Sequence, residues 1–367
     1  MIVYYSMIIW IGINGFISRY LPKRVVNNNF EKIKKPCYFI VFATICYIFV
    51  LIGLRSGVGD TYAYIQIFNN LPDKLNLSVI QSFDKDVGFF IFSVLFKQFI
   101  SSNYHIWLFV ISWISGLLIT KTLYKYSDNF FYSMFLFIVM LDFVWMLNGM
   151  RQFIAVSLIF GNIDLFLDKK FIKCMLLIAL ASTIHISALF TIPIYFLVNF
   201  NCFTWKFYFF IIILFVVGIN IDYIANTFSI VLEDTAYEGY LTEAATSTGS
   251  NLLRVAVGAA PCILAFIGRK QIQGNKLINF CINMSIISAI FYFISSFSGG
   301  ILIGRIPIYF DVFNLILIPW LIKNIFVESN HFIMYLIVGI CYFAFFYLKA
   351  KYGMGLGYES DILRIFV

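Results

Sequence analysis

Four arginines, two aspartates and one histidine stand where charge is hard to keep. Arg55, Arg151, Arg254, Arg305, Asp60, Asp86 and His185 all lie at the edges of long apolar stretches or inside them. A charge placed in hydrocarbon is unfavourable by about 3 kcal/mol or more unless it finds a partner or water, so each one calls for a reason. A guanidinium presents five donors in a fixed fork that matches a phosphate bidentately, whereas a lysine offers only a point charge. Several arginines of this kind point to a ligand with phosphate or diphosphate groups, and in an apolar chain a lipid diphosphate fits. A carboxylate or an imidazole nearby could orient a hydroxyl or take its proton.

The local sequences sharpen this reading. In the run from Arg55 to Tyr64 (RSGVGDTYAY), two glycines permit a tight turn whose amides can approach an anion, and Asp60 is a nearby carboxylate. The same residues also make an ordinary helix cap with an interfacial arginine. Asp86 opens the short segment DVGFF, either as a plain cap or as a carboxylate that binds a sugar hydroxyl. Asn148 to Ala155 (NGMRQFIA) forms a hairpin that puts Arg151 and Gln152 at a helix start, where anions are already favoured. In Ala179 to Leu189 (ALASTIHISAL), His185 has small polar neighbours, and Pro193 follows, so a broken helix lining a wet space is expected there. His105 and His331 sit at span ends and read as interfacial. Arg254 opens a helix after an acidic stretch, and Arg305 opens another, with Tyr309 one turn on and Asp311 beyond. Tyr64 and Tyr309 are secondary candidates in a chain with 44 Phe and 23 Tyr.

The elements that must hold these residues are membrane helices. Charged residues are 12% of the 367 and hydrophobic ones 62%, with a mean hydropathy of +0.91; a soluble chain carries about 25% charge. Twelve apolar stretches are expected as spans, with eleven to thirteen the range, in one membrane domain over 1–367 of all-α class. They are Ile2–Ile17, Cys37–Leu54, Tyr104–Thr120, Phe130–Leu147, Gln152–Leu167, Phe171–Ile184, Ile186–Phe200, Phe207–Ile224, Leu252–Ile267, Leu277–Phe297, Ile306–Ile322 and Phe332–Leu348. The first lacks a basic region before it and a small-residue cleavage site after it, so it reads as a retained span. Val87–Ile100 is short and interrupted by Lys97, and either crosses or enters and returns to the same side.

Charge gives the orientation. The loop from Arg19 to Lys35 is strongly basic and is expected in the cytoplasm, with the N-terminus outside. Alternate loops then carry Lys121 and Lys125, Lys169 to Lys173, Lys206, Arg269 to Lys276, and Lys323. The opposite side receives the stretch 225–251, an external loop with Glu233, Asp234, Glu238 and Glu243 and no Lys or Arg. If Val87–Ile100 crossed, the later basic loops would face the wrong way. Under this topology the seven unusual residues gather near the outer face. The net charge of +8 is explained by basic inner loops rather than by nucleic acid. Seven scattered cysteines give neither a disulfide framework nor a zinc site. No HExxH occurs, and the one DxD is Asp84-Lys85-Asp86; neither a tightly held metal nor a cofactor is expected, and a loosely bound metal stays open.

In order and spacing, the motifs RSGVGDTYAY, DVGF, MRQFIA, STIHISAL, RIPIYF (Arg305 to Phe310) and GYESDIL (Gly357 to Leu363) resemble the EpsG-like, Wzy-type bacterial polysaccharide polymerases. The similarity runs over nearly the whole chain. It departs in reading Gly-Asp-Thr in the first motif and Asp86 where Glu is common. The resemblance implies a GT-C-like glycosyltransferase of the cytoplasmic membrane, akin to O-antigen and capsule polymerases. It would join oligosaccharide repeat units carried on undecaprenyl diphosphate at the outer leaflet, without metal or nucleotide sugar. The implied partners are those lipid-linked glycans, membrane lipid and a chain-length regulator protein. The resemblance maps its signature onto Arg55, Asp60, Asp86, Arg151, His185 and Arg305. The implied roles are a base among His185, Asp60 and Asp86, and a diphosphate clamp of Arg55, Arg151 and Arg305, with Arg254 on the acceptor lipid.

Three other classes compete. A flippase or exporter of lipid-linked sugars would need polar residues through the whole membrane, whereas here they crowd one face. An ion-coupled transporter would want acids at mid-membrane, and Asp142 and Asp164 inside spans keep it open. A membrane acyltransferase would place its histidine toward the cytoplasm.

Overall fold

Apolar runs of this length become helices because a helix satisfies each backbone N–H and C=O within its own segment. The computed structural model describes residues 1–27, 32–219, 251–272, 274–297, 304–352 and 356–366. Helix α1 (Ile2–Ile17) and α2 (Tyr38–Gly53) are joined through an antiparallel hairpin of β1 (Arg24–Asn27) and β2 (Lys32–Lys35). Three shorter helices follow: α3 (Thr61–Asn70), α4 (Leu77–Gln81) and α5 (Val87–Phe99). Then come α6 (Tyr104–Tyr126), α7 (Phe130–Val139), α8 (Met150–Gly161), α9 (Ile163–Leu167) and α10 (Phe171–Ile184). The chain continues through α11 (Ile192–Leu197), α12 (Trp205–Ile219), α13 (Leu252–Ile267) and α14 (Lys276–Ser295). It closes with α15 (Ile308–Asp311), α16 (Asn314–Ile325), α17 (His331–Tyr352) and a tail pair, β3 (Glu359–Ser360) with β4 (Ile365–Phe366).

The protein is an all-α membrane protein. Among the described residues, four helical segments are long and apolar enough to cross by themselves: Tyr104–Tyr126, Lys276–Ser295, Ile308–Ile325 and Glu328–Tyr352. Burial separates centre from rim. Ile308–Ile325 is 83% buried and Lys276–Ser295 78%, whereas Glu328–Tyr352 is only 22% buried and faces lipid. Inward serines and threonines satisfy their hydroxyls on the preceding turn, as Thr44 does on the Ile40 carbonyl (2.7 Å) and Ser157 on that of Phe153 (2.7 Å).

Several expected spans are kept and others are broken. α1, α10 and α13 coincide with the predicted Ile2–Ile17, Phe171–Ile184 and Leu252–Ile267. The predicted Phe130–Leu147 stops at Val139, turns through Leu141 at φ 70° and finishes as a 3-10 turn over Asp142–Met146. Ile186–Phe200 likewise divides into a 3-10 segment, Ile186–Thr191, and the short α11. The expected external loop 225–251 lies outside the described residues except for Asn251, which caps α13 by accepting the Arg254 N–H at 3.0 Å.

α5 has 13 residues, about 20 Å at 1.5 Å per residue, against a core of about 30 Å. It begins at Asp86 and ends beside α3, where Lys97 donates to the Asn69 carbonyl at 3.1 Å and pairs with Asp73 at 3.1 Å. Phe68 of α3 stacks on Trp107 in the first turn of α6 with centroids 4.6 Å apart. Both ends of α5 therefore stay near the start of α6, in keeping with a segment that does not cross. An apolar subcore of Tyr64, Phe68, Phe89, Phe96, Trp107 and Met150 ties α3, α5, α6 and α8 together at this end of the bundle.

The other end is basic. The Lys35 ammonium is buried against the Ser127 carbonyl, Lys323 pairs with Asp128 at 3.1 Å, and Lys125 with Asp164 at 2.8 Å. Tyr126 also donates to Asp164.

Candidate functional site

Three local breaks in helical geometry create the site. Gly149 sits at φ 108°, a conformation that disfavours any side chain, and so the chain turns sharply to start α8 with Arg151 in its first turn. Asp86 takes φ 52° without being glycine, an unfavourable backbone that clusters at functional sites. His185 follows the last residue of α10 in extended conformation, φ −155° and ψ 120°, before the 3-10 segment begins. The break expected around His185 is therefore present. Gly88 lets α5 approach α10: a Cβ there would stand 2.3 Å from Thr183 Oγ1 and 3.0 Å from its carbonyl oxygen.

These breaks bring Asp86, Arg151 and His185 together. Arg151 Nη1 donates to Asp86 Oδ2 at 2.7 Å, and His185 Nδ1 lies 3.3 Å from both carboxylate oxygens. The Asp86 side chain is 3% exposed, those of Arg151 and His185 18% and 21%. The carboxylate is thus the floor, and the cation and the imidazole are the parts that reach outward. The Arg151 guanidinium carbon stands 5.8–6.0 Å from the ring centres of Tyr64, Phe89 and Phe90, an aromatic collar favourable to a cation. With Nδ1 turned to Asp86, the carboxylate fixes the ring and leaves Nε2 as the basic nitrogen.

A second layer connects to this one. Gln152 Nε2 donates to the Arg305 carbonyl oxygen at 3.0 Å, and the Tyr309 and Ser187 hydroxyls are 3.0 Å apart. Gln152 thus anchors the residues just before α15 to α8, and Tyr309 ties α15 to the segment that follows His185. The Arg305 guanidinium, half-buried, has no hydrogen-bond partner among the described residues.

Three predicted residues are not part of this group. Arg55 is fully buried, and its five donors are taken: Nε by Thr61 Oγ1 (2.9 Å), Nη1 by the Ile52 carbonyl (2.7 Å) and Ser112 Oγ (3.2 Å), Nη2 by the Met146 carbonyl (3.0 Å) and Met150 Sδ (3.5 Å). The expectation that it clamps a diphosphate is corrected, because no donor is left for one. Asp60 is exposed, caps nothing with its side chain, and offers its backbone N–H to Asn148 Oδ1 at 3.1 Å. Arg254 belongs to another cluster: its Nη2 donates to the Tyr292 hydroxyl at 2.8 Å, which donates to Asp311 Oδ2 at 3.1 Å, while Asn314 holds Asp311 Oδ1 at 2.8 Å. Asp311 is thus committed to this cluster rather than to Arg305. Asp142 lies buried beside this cluster.

Sequence reasoning gave no role to the tail, which fastens the Arg55 loop from outside. Ser56 N–H donates to the Glu359 carbonyl (2.8 Å), Glu359 N–H to that of Gly57 (2.8 Å), and Tyr358 OH to that of Leu51 (2.6 Å). The motif GYESDIL was the only signal for it. Among the described residues no three His, Cys, Asp or Glu side chains converge as a metal set would.

Comparison with known sequences gives one strong result. The sequence model described as the EpsG family matches residues 3–360. No curated protein and no solved structure matches the chain.

Proposed function

The chain belongs to the EpsG family, and from that premise we propose that it is a polysaccharide polymerase, a glycosyltransferase acting on undecaprenyl-diphosphate-linked oligosaccharides at the outer face of the cytoplasmic membrane. The observation that carries the reading is the Asp86 carboxylate held between Arg151 and His185 at the non-basic end of the bundle. The excess of positive charge at the opposite end supports an outward-facing site. About twelve crossings in a GT-C-like arrangement belong to the same proposal.

In this reaction the acceptor hydroxyl oxygen attacks the anomeric carbon of the donor sugar. A new glycosidic C–O bond forms, the bond from that carbon to the phosphate oxygen breaks, and the lipid diphosphate departs with the electron pair. His185 Nε2 takes the hydroxyl proton, and Asp86 holds the ring and stabilises the imidazolium that results. Arg151 holds the Asp86 carboxylate in place. Arg305, whose guanidinium is uncommitted among the described residues, meets the charge growing on the departing diphosphate. Gln152 and Tyr309 set its distance from His185 by holding the α15 region to α8 and to Ser187.

A lipid-sugar transporter would need polar residues spaced along a path. Asp164 is paired with Lys125 at the basic end, and Asp142 lies beside the closed Arg254 cluster, so neither supports one. The deciding experiment is a cell-free reaction of the purified chain with its lipid-diphosphate repeat unit, read as a glycan ladder on a gel. The wild-type chain is expected to give a ladder that His185→Ala and Arg305→Ala abolish. Lipid movement across vesicles without any ladder overturns the polymerase reading.

A further inference from the structure

One cavity lies apart from the chemistry above. It encloses about 840 Å³ between α1, α7 and α17, near the basic end of the bundle, and is lined by Ile8, Ile11, Phe135 and Phe343 among others. That volume is in the usual range for a ligand site, about 300–1,000 Å³. One wall is α17, the helix that faces lipid, so the cavity is a trough beside the bilayer rather than a chamber inside the protein. Glycines make it deep: a Cβ on Gly12 would meet nothing within 4 Å, and one on Gly339 only the Phe135 ring at 3.5 Å and the Tyr132 hydroxyl at 3.7 Å.

The mouth of the trough differs from its walls. Arg19, Lys23 and Lys34, all exposed, line the end where the chain leaves α1 and returns through β2. The carboxylate at that level, Asp128, is paired with Lys323 at 3.1 Å. The opening is therefore positive and the interior apolar, and the step between them falls where a helix meets the interface.

We infer that this trough holds an anionic glycerophospholipid of the leaflet at the basic end, with an acyl chain along Ile8, Gly12 and Phe343 and its phosphate among Arg19, Lys23 and Lys34. Two complementarities carry the assignment. A trough open to hydrocarbon is filled by whatever apolar chain surrounds it, and three cations at interfacial depth favour an anionic head over a neutral one. A transmembrane helix of a partner or a second copy would fill the apolar part without using the cations. The inference stands apart from the polymerase reading, since it concerns the opposite end of the molecule and needs no turnover.

The test uses the full chain in neutral detergent, with lipid binding followed by native mass spectrometry and by thermal unfolding. The probes are phosphatidylglycerol, phosphatidylcholine of the same acyl chains, and glycerol phosphate without chains. Phosphatidylglycerol is expected to bind at least about tenfold more tightly than phosphatidylcholine, to one site per chain, and to raise the unfolding midpoint, while glycerol phosphate does neither. Charge removal by Arg19→Gln, Lys23→Gln and Lys34→Gln together should erase the preference, and Gly12→Leu should weaken both lipids. Equal binding of the two lipids overturns the assignment, as does a preference that survives the triple substitution. Binding of glycerol phosphate alone reduces the site to an anion patch, and displacement of lipid by dimerisation through Gly12 assigns the trough to a second copy; either result overturns it too.

Discussion

Asp86 and Arg151 are 65 positions apart in sequence, yet Oδ2 of one and Nη1 of the other are 2.7 Å apart, with the carboxylate almost fully covered. Charges in a mostly apolar end of a helix bundle are tolerable only with partners, and removing Arg151 leaves the Asp86 carboxylate to His185. Arg151→Ala is expected to destabilise the fold by about 3 kcal/mol, at the low end for a buried pair because the guanidinium is partly exposed. Its effect on polymer formation should be larger, about a hundredfold or more, since Asp86 then no longer fixes His185. Asp86→Asn combined with Arg151→Met should recover stability but not turnover. Unfolding curves and initial rates on wild type, Asp86→Asn, Arg151→Met and their combination, a double-mutant cycle, separate the two effects.

Arg55→Lys tests the assignment of that arginine to structure. Lysine supplies three donors from one atom and cannot span the Thr61 hydroxyl, the Ile52 and Met146 carbonyls and the Ser112 hydroxyl at once. The expected outcome is a loss of about 3–5 kcal/mol, seen as a lower unfolding midpoint and a poorly monodisperse protein on size exclusion. An Arg55→Lys protein as stable as wild type and impaired only in diphosphate binding would return Arg55 to the ligand site.

Gly88 and Thr183 should be energetically coupled. Gly88→Ala forces its Cβ against Thr183 Oγ1, Cβ and carbonyl oxygen, at 2.3, 2.8 and 3.0 Å. Overpacking of this sort costs about 1–3 kcal/mol, and it moves Asp86, two residues away, relative to His185, two residues beyond Thr183. Activity is expected to fall more than stability. Thr183→Gly in the same chain should restore part of both, a coupling that independent sites would not show.

Much of this was readable from residue types alone. Arg151 and His185 stand out because they interrupt apolar runs and Asp86 because it opens one, and the structure places the three side by side. Arg55 drew notice for the same reason, but its role was hidden. Its partners include the Ile52 and Met146 carbonyls, which every residue carries and no pattern marks. Span ends were legible where an apolar run meets a basic or polar residue, as at Phe171–Ile184. The turn at Leu141 was not, because a leucine at φ 70° leaves no trace in composition. Tyr292, which joins Arg254 to Asp311, was one tyrosine among 23.

Glu359→Pro removes the N–H that donates to the Gly57 carbonyl at 2.8 Å while leaving the helices untouched. Hydrogen exchange at residues 55–60 should rise by about tenfold or more for the loss of one or two such bonds, with exchange in α14 unchanged. Unaltered protection of the loop would show that the tail is only a passenger.

That tail also sets an order of events. The loop after α2 emerges early in synthesis, but its fastenings at Tyr358, Glu359 and Ser360 lie more than 300 residues further along, as the separation of 307 between Tyr358 and Leu51 records. During insertion, Arg55 and its turn must wait in the translocation machinery or at the membrane surface for two later arrivals, first the helices that carry Ser112 and Met146, then the tail. A ribosome that stops between α13 and Tyr358 therefore leaves a chain with an unfastened loop. Such a chain carries an accessible segment by which membrane proteases can tell it from a finished one.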